Sequence, residues 1–300
     1  MDTARAIATQ FFGAAPDTLE VIEGLGSVNR MFLARQGAQT IIVRLPKAED
    51  RERAEAFYEK EDWCLKAAGF YSHIPGPEVL DLGVYEGWPY QIQSFIEGIN
   101  GEHSGVEPGR IYCMLGTYAR DMEHIHFRIQ LNGFGETLPD FLASDGIERW
   151  QRFIAYNRES LTPTDPLLSL GVYLPSQRNA ILARFNALAE QEVELGLCHG
   201  DLAPRNTILG TDRTLFLIDW GCAEVHVVPH YNLLYIPLEF REDFMDGYGW
   251  NEEHKAELYA EVDNLALLKA FDLVRWAIDR CPERITELAE KARILAQAVA

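Results

Sequence analysis

The order of apolar patterns along the 300 residues predicts an α+β fold in two segregated parts. Three observations carry this. Five short strand-like runs separated by turn residues fall within the first 96 residues, with one long helical pattern, Arg51 to Ala68, among them. Periodicity then stops in QSFIEGINGEHSG, where glycines accumulate, so a boundary near Glu97 divides residues 1–96 from 97–300. Beyond it the patterns are helical, interrupted by a single hairpin. The expectation is a small five-stranded antiparallel sheet with one long helix, followed by a larger, mainly helical part.

Thr3 to Phe12 reads as a short helix and Leu19 to Glu23 as the first strand. That strand runs into Gly24-Leu25-Gly26-Ser27-Val28-Asn29, where Gly26 lets the backbone approach a phosphate and Ser27 and Asn29 add side-chain donors. Met31 to Ala34 and Thr40 to Leu45 follow, joined by Gln36-Gly37-Ala38-Gln39. In the long helix Ala54, Phe57, Tyr58, Leu65 and Ala68 share one face, and Glu61 lies on it too. A carboxylate in an apolar stripe is costly unless paired, which singles out Glu61 ahead of Glu55 and Glu59. Ile74-Pro75-Gly76-Pro77 ends the helix, and Val79 to Tyr85 and Tyr90 to Ile92 complete the sheet. The later helical patterns cover Pro108 to Phe127, Ile147 to Leu161, Ser176 to Glu194, Glu252 to Ile278 and Pro282 to Ala298.

The hairpin is the chemically informative stretch. Leu197 to Asn206 reads LCHGDLAPRN, placing His199, Asp201 and Asn206 in the spacing H-x-D-x-x-x-x-N, which kinases use to set a catalytic carboxylate and a metal-binding amide on one loop. Leu217 to Gly221 reads LIDWG. Between them, two apolar runs flank Gly210-Thr211-Asp212-Arg213, a turn cluster, so the two arms return Asp219 to the edge that holds Asn206. An amide oxygen and a carboxylate meeting there suit a hard cation such as Mg2+. Asp201 stands close enough to receive or orient the proton of a substrate hydroxyl.

Composition narrows the class. A 47% hydrophobic and 24% charged chain has the makeup of a globular protein, and no run of about 18 apolar residues suggests a membrane span. Five scattered cysteines, odd in number and without a C-x-x-C pair, suggest neither a disulfide framework nor a zinc site, and a cytoplasmic location is expected. With 27 basic against 46 acidic residues the net charge is −19, which opposes binding to nucleic acid and reads equally as attraction for cationic small molecules or as a solubilising acidic surface. The oligomeric state is left open.

LCHGDLAPRN followed by LIDWG resembles the aminoglycoside phosphotransferase and choline kinase family, small-molecule kinases with a protein-kinase-like fold of two lobes. Gly200 supports it, since protein kinases usually carry Arg there and this family Gly or Asn. The resemblance implies an ATP-dependent phosphotransferase (GTP not excluded) that uses Mg2+ held by Asn206 and Asp219, with Asp201 as the catalytic carboxylate and a small-molecule hydroxyl as acceptor. Residues 1–96 become the nucleotide lobe. Arg44 takes the place where kinases hold a lysine against the α- and β-phosphates, paired with Glu61; backbone groups of Ser94 and Ile96 become the adenine hinge. The acidic stretch Glu239, Glu242, Asp243, Asp246, Glu252 and Glu253, on its own a solvated loop and helix start, falls where the family lines its acceptor cleft. An amine-bearing acceptor held by carboxylates between Glu239 and Asp272 is expected.

Several patterns stay open at this level. A metabolic kinase for choline, homoserine or a sugar would share every catalytic residue, and Arg44 in place of lysine leaves room for a non-catalytic nucleotide-binding protein. His124 and His126 point to different helix faces and read as packing, and Pro229 argues against a helix aligning His226 with His230. Asp272, one turn from Trp276, reads equally as a cation site or as a cap or partner of Arg275. His199 reads as a structural hydrogen-bonding residue.

Overall fold

The computed structural model describes residues 1–22, 29–125 and 146–299. Gly26, Ser27 and His126 lie outside the described residues.

Five antiparallel strands form the first sheet: β1 (Thr18–Ile22), β2 (Asn29–Gln36), β3 (Gln39–Pro46), β4 (Val79–Tyr85) and β5 (Trp88–Ser94), in the order β1-β2-β3-β5-β4. Strand alternation explains how its two faces are used. Ile41, Val43 and Leu45 of β3, with Tyr90 and Ile92 of β5, pack with Ala4, Ile7 and Ala8 of helix α1 (Asp2–Phe12). The intervening residues, Arg44 of β3 and Gln91 of β5, therefore face the other side. There they meet α2 (Arg51–Ser72), the helix expected from the apolar stripe.

The C-terminal half of α2 belongs to a different core. Cys64, Leu65, Ala68 and Tyr71 pack with Ile111, Leu115 and Met122 of α3 (Pro108–Glu123) and with Leu197, Leu217 and Trp220. A second core joins α4 (Gly146–Glu159), α5 (Arg178–Glu190), α7 (Lys255–Arg280) and α8 (Ile285–Gln297), through residues such as Trp150, Phe185, Phe271 and Ala292. The short helix α6 (Arg241–Tyr248) lies against α3.

The expectation that one hairpin alone interrupts the helical part needs correcting. The hairpin exists as β8 (Thr207–Gly210) and β9 (Leu215–Leu217), but β6 (Gly98–Asn100) extends it to three strands. A separate antiparallel pair joins β7 (Glu194–Cys198) to β10 (Glu224–Val228). The helix read as reaching Glu194 stops at Glu190, because the alternation from Glu194 to Cys198 is a five-residue strand too short to be told from a helical end by periodicity. α6 was read as a solvated loop. Glu242 and Asp246 face outward while Arg241, Phe244, Met245 and Tyr248 are buried.

Among the described residues no helix is long and apolar enough to cross a membrane, and the five cysteines are free thiols.

Candidate active site

Strand pairing brings the two motif runs together. Cys198 is opposite Glu224 in one sheet and Thr207 is opposite Leu217 in the other, so segments 199–206 and 218–223 cross side by side between the sheets. Ile218 N–H donates to Asn206 O at 2.9 Å and closes the crossing. Gly200 turns the first segment at φ 78°, a conformation costly for residues with a Cβ, and a Cβ there would sit 2.1 Å from Cys222 O. The preference for glycine at this place thus has a steric origin in this chain.

Asp201 and Asn206 lie on the first of these segments and Asp219 on the second. Asn206 Nδ2 donates to Asp201 Oδ2 at 2.8 Å and to Asp201 O at 2.7 Å. Its two amide ends are thereby divided: the nitrogen holds the carboxylate and the oxygen is left as an acceptor or metal ligand. Asp219 adopts a left-handed backbone, φ 65° and ψ 60°, tolerated by Asp more readily than by most residues, and its side chain is half exposed. His199 is buried, and burial lowers its imidazole from the usual value. Its Nε2 lies 3.0 Å from Ile218 O, so the neutral ring donates to a carbonyl and ties the two runs together. It is a strut, as expected.

Arg44 and Glu61 form a buried ion pair beneath this edge. Arg44 Nη1 also donates to Gln91 Oε1 at 2.9 Å, and Nη2 lies 3.5 Å from Asp219 Oδ1. Burial works against the guanidinium, but Glu61 and Asp219 carry it above its ordinary value. Glu61 Oε1 accepts from Trp220 N–H at 3.3 Å. Tyr58 OH donates to Asn29 Oδ1 at 2.8 Å, so Asn29 keeps its amide N–H groups for another partner.

Ser94 departs from what the hinge expectation needs. Its backbone N–H donates to Glu78 O at 2.8 Å and its hydroxyl accepts from Glu78 N–H at 2.9 Å, so the Ser94 amide is committed to the sheet.

The acidic span from Glu239 to Asp272 is partly committed to internal partners. Glu242, Asp246 and Glu252 gather on Lys255, Asp263 meets Arg241 at 3.1 Å, and Glu261 meets His230 at 2.8 Å. Asp272 is neither a cap nor a partner of Arg275: it accepts from Asn157 at 3.3 Å, while Arg275 binds Asp165 at 2.7 Å and Asn157 at 2.9 Å. Glu239 differs. Its charge, with those of Arg205 and Glu102, bears on the Tyr112 phenol, which stacks on Phe240 at 4.6 Å. On the other side of Asp201, Tyr235 feels Glu224, Cys222 and Asp201, and its hydroxyl donates to Tyr231 at 3.2 Å.

Motif and periodicity did not point to Gln91 or Arg205. Gln91 is a buried polar residue in an apolar strand, a signal available in retrospect, and Arg205 pairs with Asp201 from within the same loop. Among the described residues no group of three or more His, Cys, Asp or Glu is placed to hold a metal. A two-ligand Mg2+ site completed by phosphate oxygens is consistent with that.

The phosphotransferase enzyme family model matches residues 22–259. Among solved structures, the GDP complex of wild-type aminoglycoside 2'-phosphotransferase-IIIa is 19% identical with a TM-score of 0.69, covering 97% of this chain and 96% of that one. A thermostable mutant of aminoglycoside phosphotransferase APH(4)-Ia, in ternary complex with AMP-PNP and hygromycin B, is 17% identical with a TM-score of 0.67, covering 99% of both chains. Macrolide 2'-phosphotransferase MphH from Brachybacterium faecium is 18% identical with a TM-score of 0.61, covering 99% of this chain and 97% of that one. The search of curated proteins gave no match. The two-lobed kinase-like fold of these structures is the fold of this chain, and the chain belongs to the phosphotransferase enzyme family.

Proposed function

We propose that the protein transfers the γ-phosphoryl group of a nucleoside triphosphate, ATP or GTP, to a hydroxyl of an amine-bearing small molecule. The observation that carries this is the pairing of the two motif segments, with Ile218 N–H on Asn206 O and Asn206 Nδ2 on the Asp201 carboxylate. Asp201 takes the hydroxyl proton as the acceptor oxygen bonds to phosphorus, and the electron pair of the broken bond leaves on the nucleoside diphosphate. Asn206 Oδ1 and the Asp219 carboxylate would hold Mg2+, which when bound supplies positive charge to the phosphates. Arg44 orients the α- and β-phosphates from its Glu61 support, while Asn29, with Gly26 and Ser27, covers them. The Ser94 carbonyl and Ile96 receive the base. In this reading residues 1–96 hold the nucleotide and 97–300 the acceptor.

The acceptor side is argued from charge. Residues 1–96 carry 9 basic and 14 acidic side chains, net −5, and residues 97–300 carry 18 and 32, net −14. The charges of Glu102 and Glu239 bear on Tyr112, and that of Glu224 bears on Tyr231 and on Tyr235, which also feels Asp201. Carboxylates and aromatic faces suit ammonium groups. The similar structures bound to kanamycin and hygromycin B support the same acceptor class.

The test is a panel of aminoglycosides, amino alcohols and sugars incubated with Mg2+ and ATP or GTP, with products read by mass spectrometry. A mass gain of one phosphate that requires Asp201 is expected. Nucleotide binding without consumption, unchanged in Asp201→Asn, would leave a binding protein instead.

A further inference from the structure

Arg44 stands directly opposite Gln91 in the pairing of β3 with β5, and both side chains are buried on the sheet face that meets α2. One atom of the guanidinium takes both anchors: Nη1 donates to Glu61 Oε2 and to Gln91 Oε1, the latter at 2.9 Å. Nε is buried and has no partner among the described residues, so the orientation of the group rests on Nη1. A guanidinium is planar, and two acceptors on one nitrogen fix its plane. That plane presents Nη2 to Asp219 Oδ1 at 3.5 Å, where the Asp219 side chain is half exposed.

Gln91 is itself held in one orientation. Its Oε1 accepts a second bond from Gln93 Nε2 at 2.9 Å, and its Nε2 donates to Tyr58 O of α2 at 3.3 Å. Exchanging the two ends of the amide would set an NH2 group against the donors of Arg44 and Gln93 and an oxygen against a carbonyl, so the hydrogen bonds decide which end is which. Gln93 lies two residues further along the strand, on the same face, and is also buried. A lysine at position 44 would ask less of its surroundings, because an ammonium is a compact charge whose three donors rotate. A guanidinium has to be turned the right way.

We infer that Gln91 is a positioning residue for nucleotide binding: it fixes the plane of the Arg44 guanidinium so that Nη1 serves the protein and Nη2 is presented to the phosphates, with Gln93 fixing Gln91 in turn. The assignment rests on the phosphate role proposed above for Arg44. An arginine can then serve where kinases hold a lysine. Glu61 supplies countercharge to either side chain, and Gln91 supplies the direction that only the planar group requires.

Calorimetric titration of MgADP into the full chain tests this without knowledge of the acceptor, with Tm measured for each variant. Gln91→Met keeps the length of the side chain and removes the amide. It should weaken MgADP binding roughly tenfold, the scale of one hydrogen bond to a charged group, and Arg44→Met should weaken it at least as much. Adding Gln91→Met to Arg44→Met should cost no further affinity, because the group it orients is gone. Gln93→Met should show the same dependence on Arg44 with a smaller loss, and it carries the test if Gln91→Met does not fold. Wild-type affinity in folded Gln91→Met, or in folded Gln93→Met where Gln91→Met does not fold, overturns the positioning role, and so does an equal loss with and without Arg44. Wild-type affinity in Arg44→Met overturns the phosphate role of Arg44 and the positioning role with it. Wild-type protein that binds no MgADP overturns the nucleotide reading itself.

Discussion

Glu61 joins two runs distant in sequence: one carboxylate oxygen accepts from Arg44 of β3, 17 residues away, and the other accepts from Trp220 N–H at 3.3 Å, 159 residues away and next to Asp219. Arg44 and the backbone beside Asp219 are therefore positioned by one buried group. Removing its charge leaves Arg44 buried against Asp219 alone. Glu61→Gln should destabilise the protein by roughly 3–4 kcal/mol, the lower part of the range for breaking a buried pair because Asp219 still compensates. Removing Arg44 as well should recover part of the loss, since the stranded charge goes with it. Urea unfolding of the two single variants and the Glu61→Gln/Arg44→Met double variant measures this, and strictly additive losses would show the pair to be uncoupled.

Replacing Asp201 with Asn keeps its size and one acceptor but removes the charge that receives the proton. Turnover should fall by roughly two to four decades, the usual scale for general-base groups, with nucleotide affinity barely moved. Steady-state kinetics on an identified acceptor decide it. Near-normal turnover would remove Asp201 from the chemistry.

Asp219→Ala separates ligand from base. Deleting an anionic oxygen donor should weaken both MgATP binding and turnover, with excess Mg2+ restoring only part of each. Calorimetry at several Mg2+ concentrations shows the difference, because Asp201→Asn should have no such metal dependence. Identical MgATP binding by wild type and Asp219→Ala would exclude the assignment.

What the sequence reveals about this site follows from how locally each part is specified. Asp201, Asn206 and Asp219 lie on a hairpin whose turn residues and β-branched arms are contiguous, so their convergence is legible from spacing alone. Glu61 is legible for another reason, since a charge on an apolar helical face demands a partner. The five strands of the first sheet and the long helix follow from alternation and length. By contrast β7 and β10 are five-residue runs paired across 25 intervening residues, and nothing local announces that pairing. Likewise Lys255 gathers carboxylates from α6 that look like a solvated acidic loop when read in order. Long-range pairing hid those residues.

A second pH-dependent group lies away from the reaction. The Glu123 carboxyl at the end of α3 is pushed up to about 8, chiefly by burial, with the charge of Glu194 adding to it. A folded value above the unfolded one means the native chain holds this proton more tightly. Its contribution is whole below about 4.5 and is lost as pH rises through about 8. Wild-type Tm should therefore decline from pH 6 to pH 9 more steeply than that of Glu123→Gln, which carries no titrating proton. Parallel Tm profiles in the two proteins would show that Glu123 does not set the slope.

The acceptor prediction follows from where unmatched acid lies. Arg241 and Lys255 already engage Asp263, Glu242, Asp246 and Glu252, so the attraction is argued from Glu102 and Glu239, which bear on Tyr112, and from Glu224, which bears on Tyr235. Bound nucleotide triphosphate is itself anionic and would be repelled by them, unless they lie across the cleft where an ammonium group offsets both. Attraction between exposed charges is screened over about 8–10 Å at physiological ionic strength and over about 3 Å at 1 M. The KM of a polyamine-like acceptor such as kanamycin should therefore rise several-fold with added KCl, while that of an uncharged sugar stays nearly level. Glu239→Gln should raise the kanamycin KM at low salt and flatten its salt dependence, leaving the KM for ATP in place. A kinetic screen in which neutral or anionic alcohols outperform every polyamine would overturn the cationic acceptor, and phosphoryl transfer through Asp201 would still stand on its own variants.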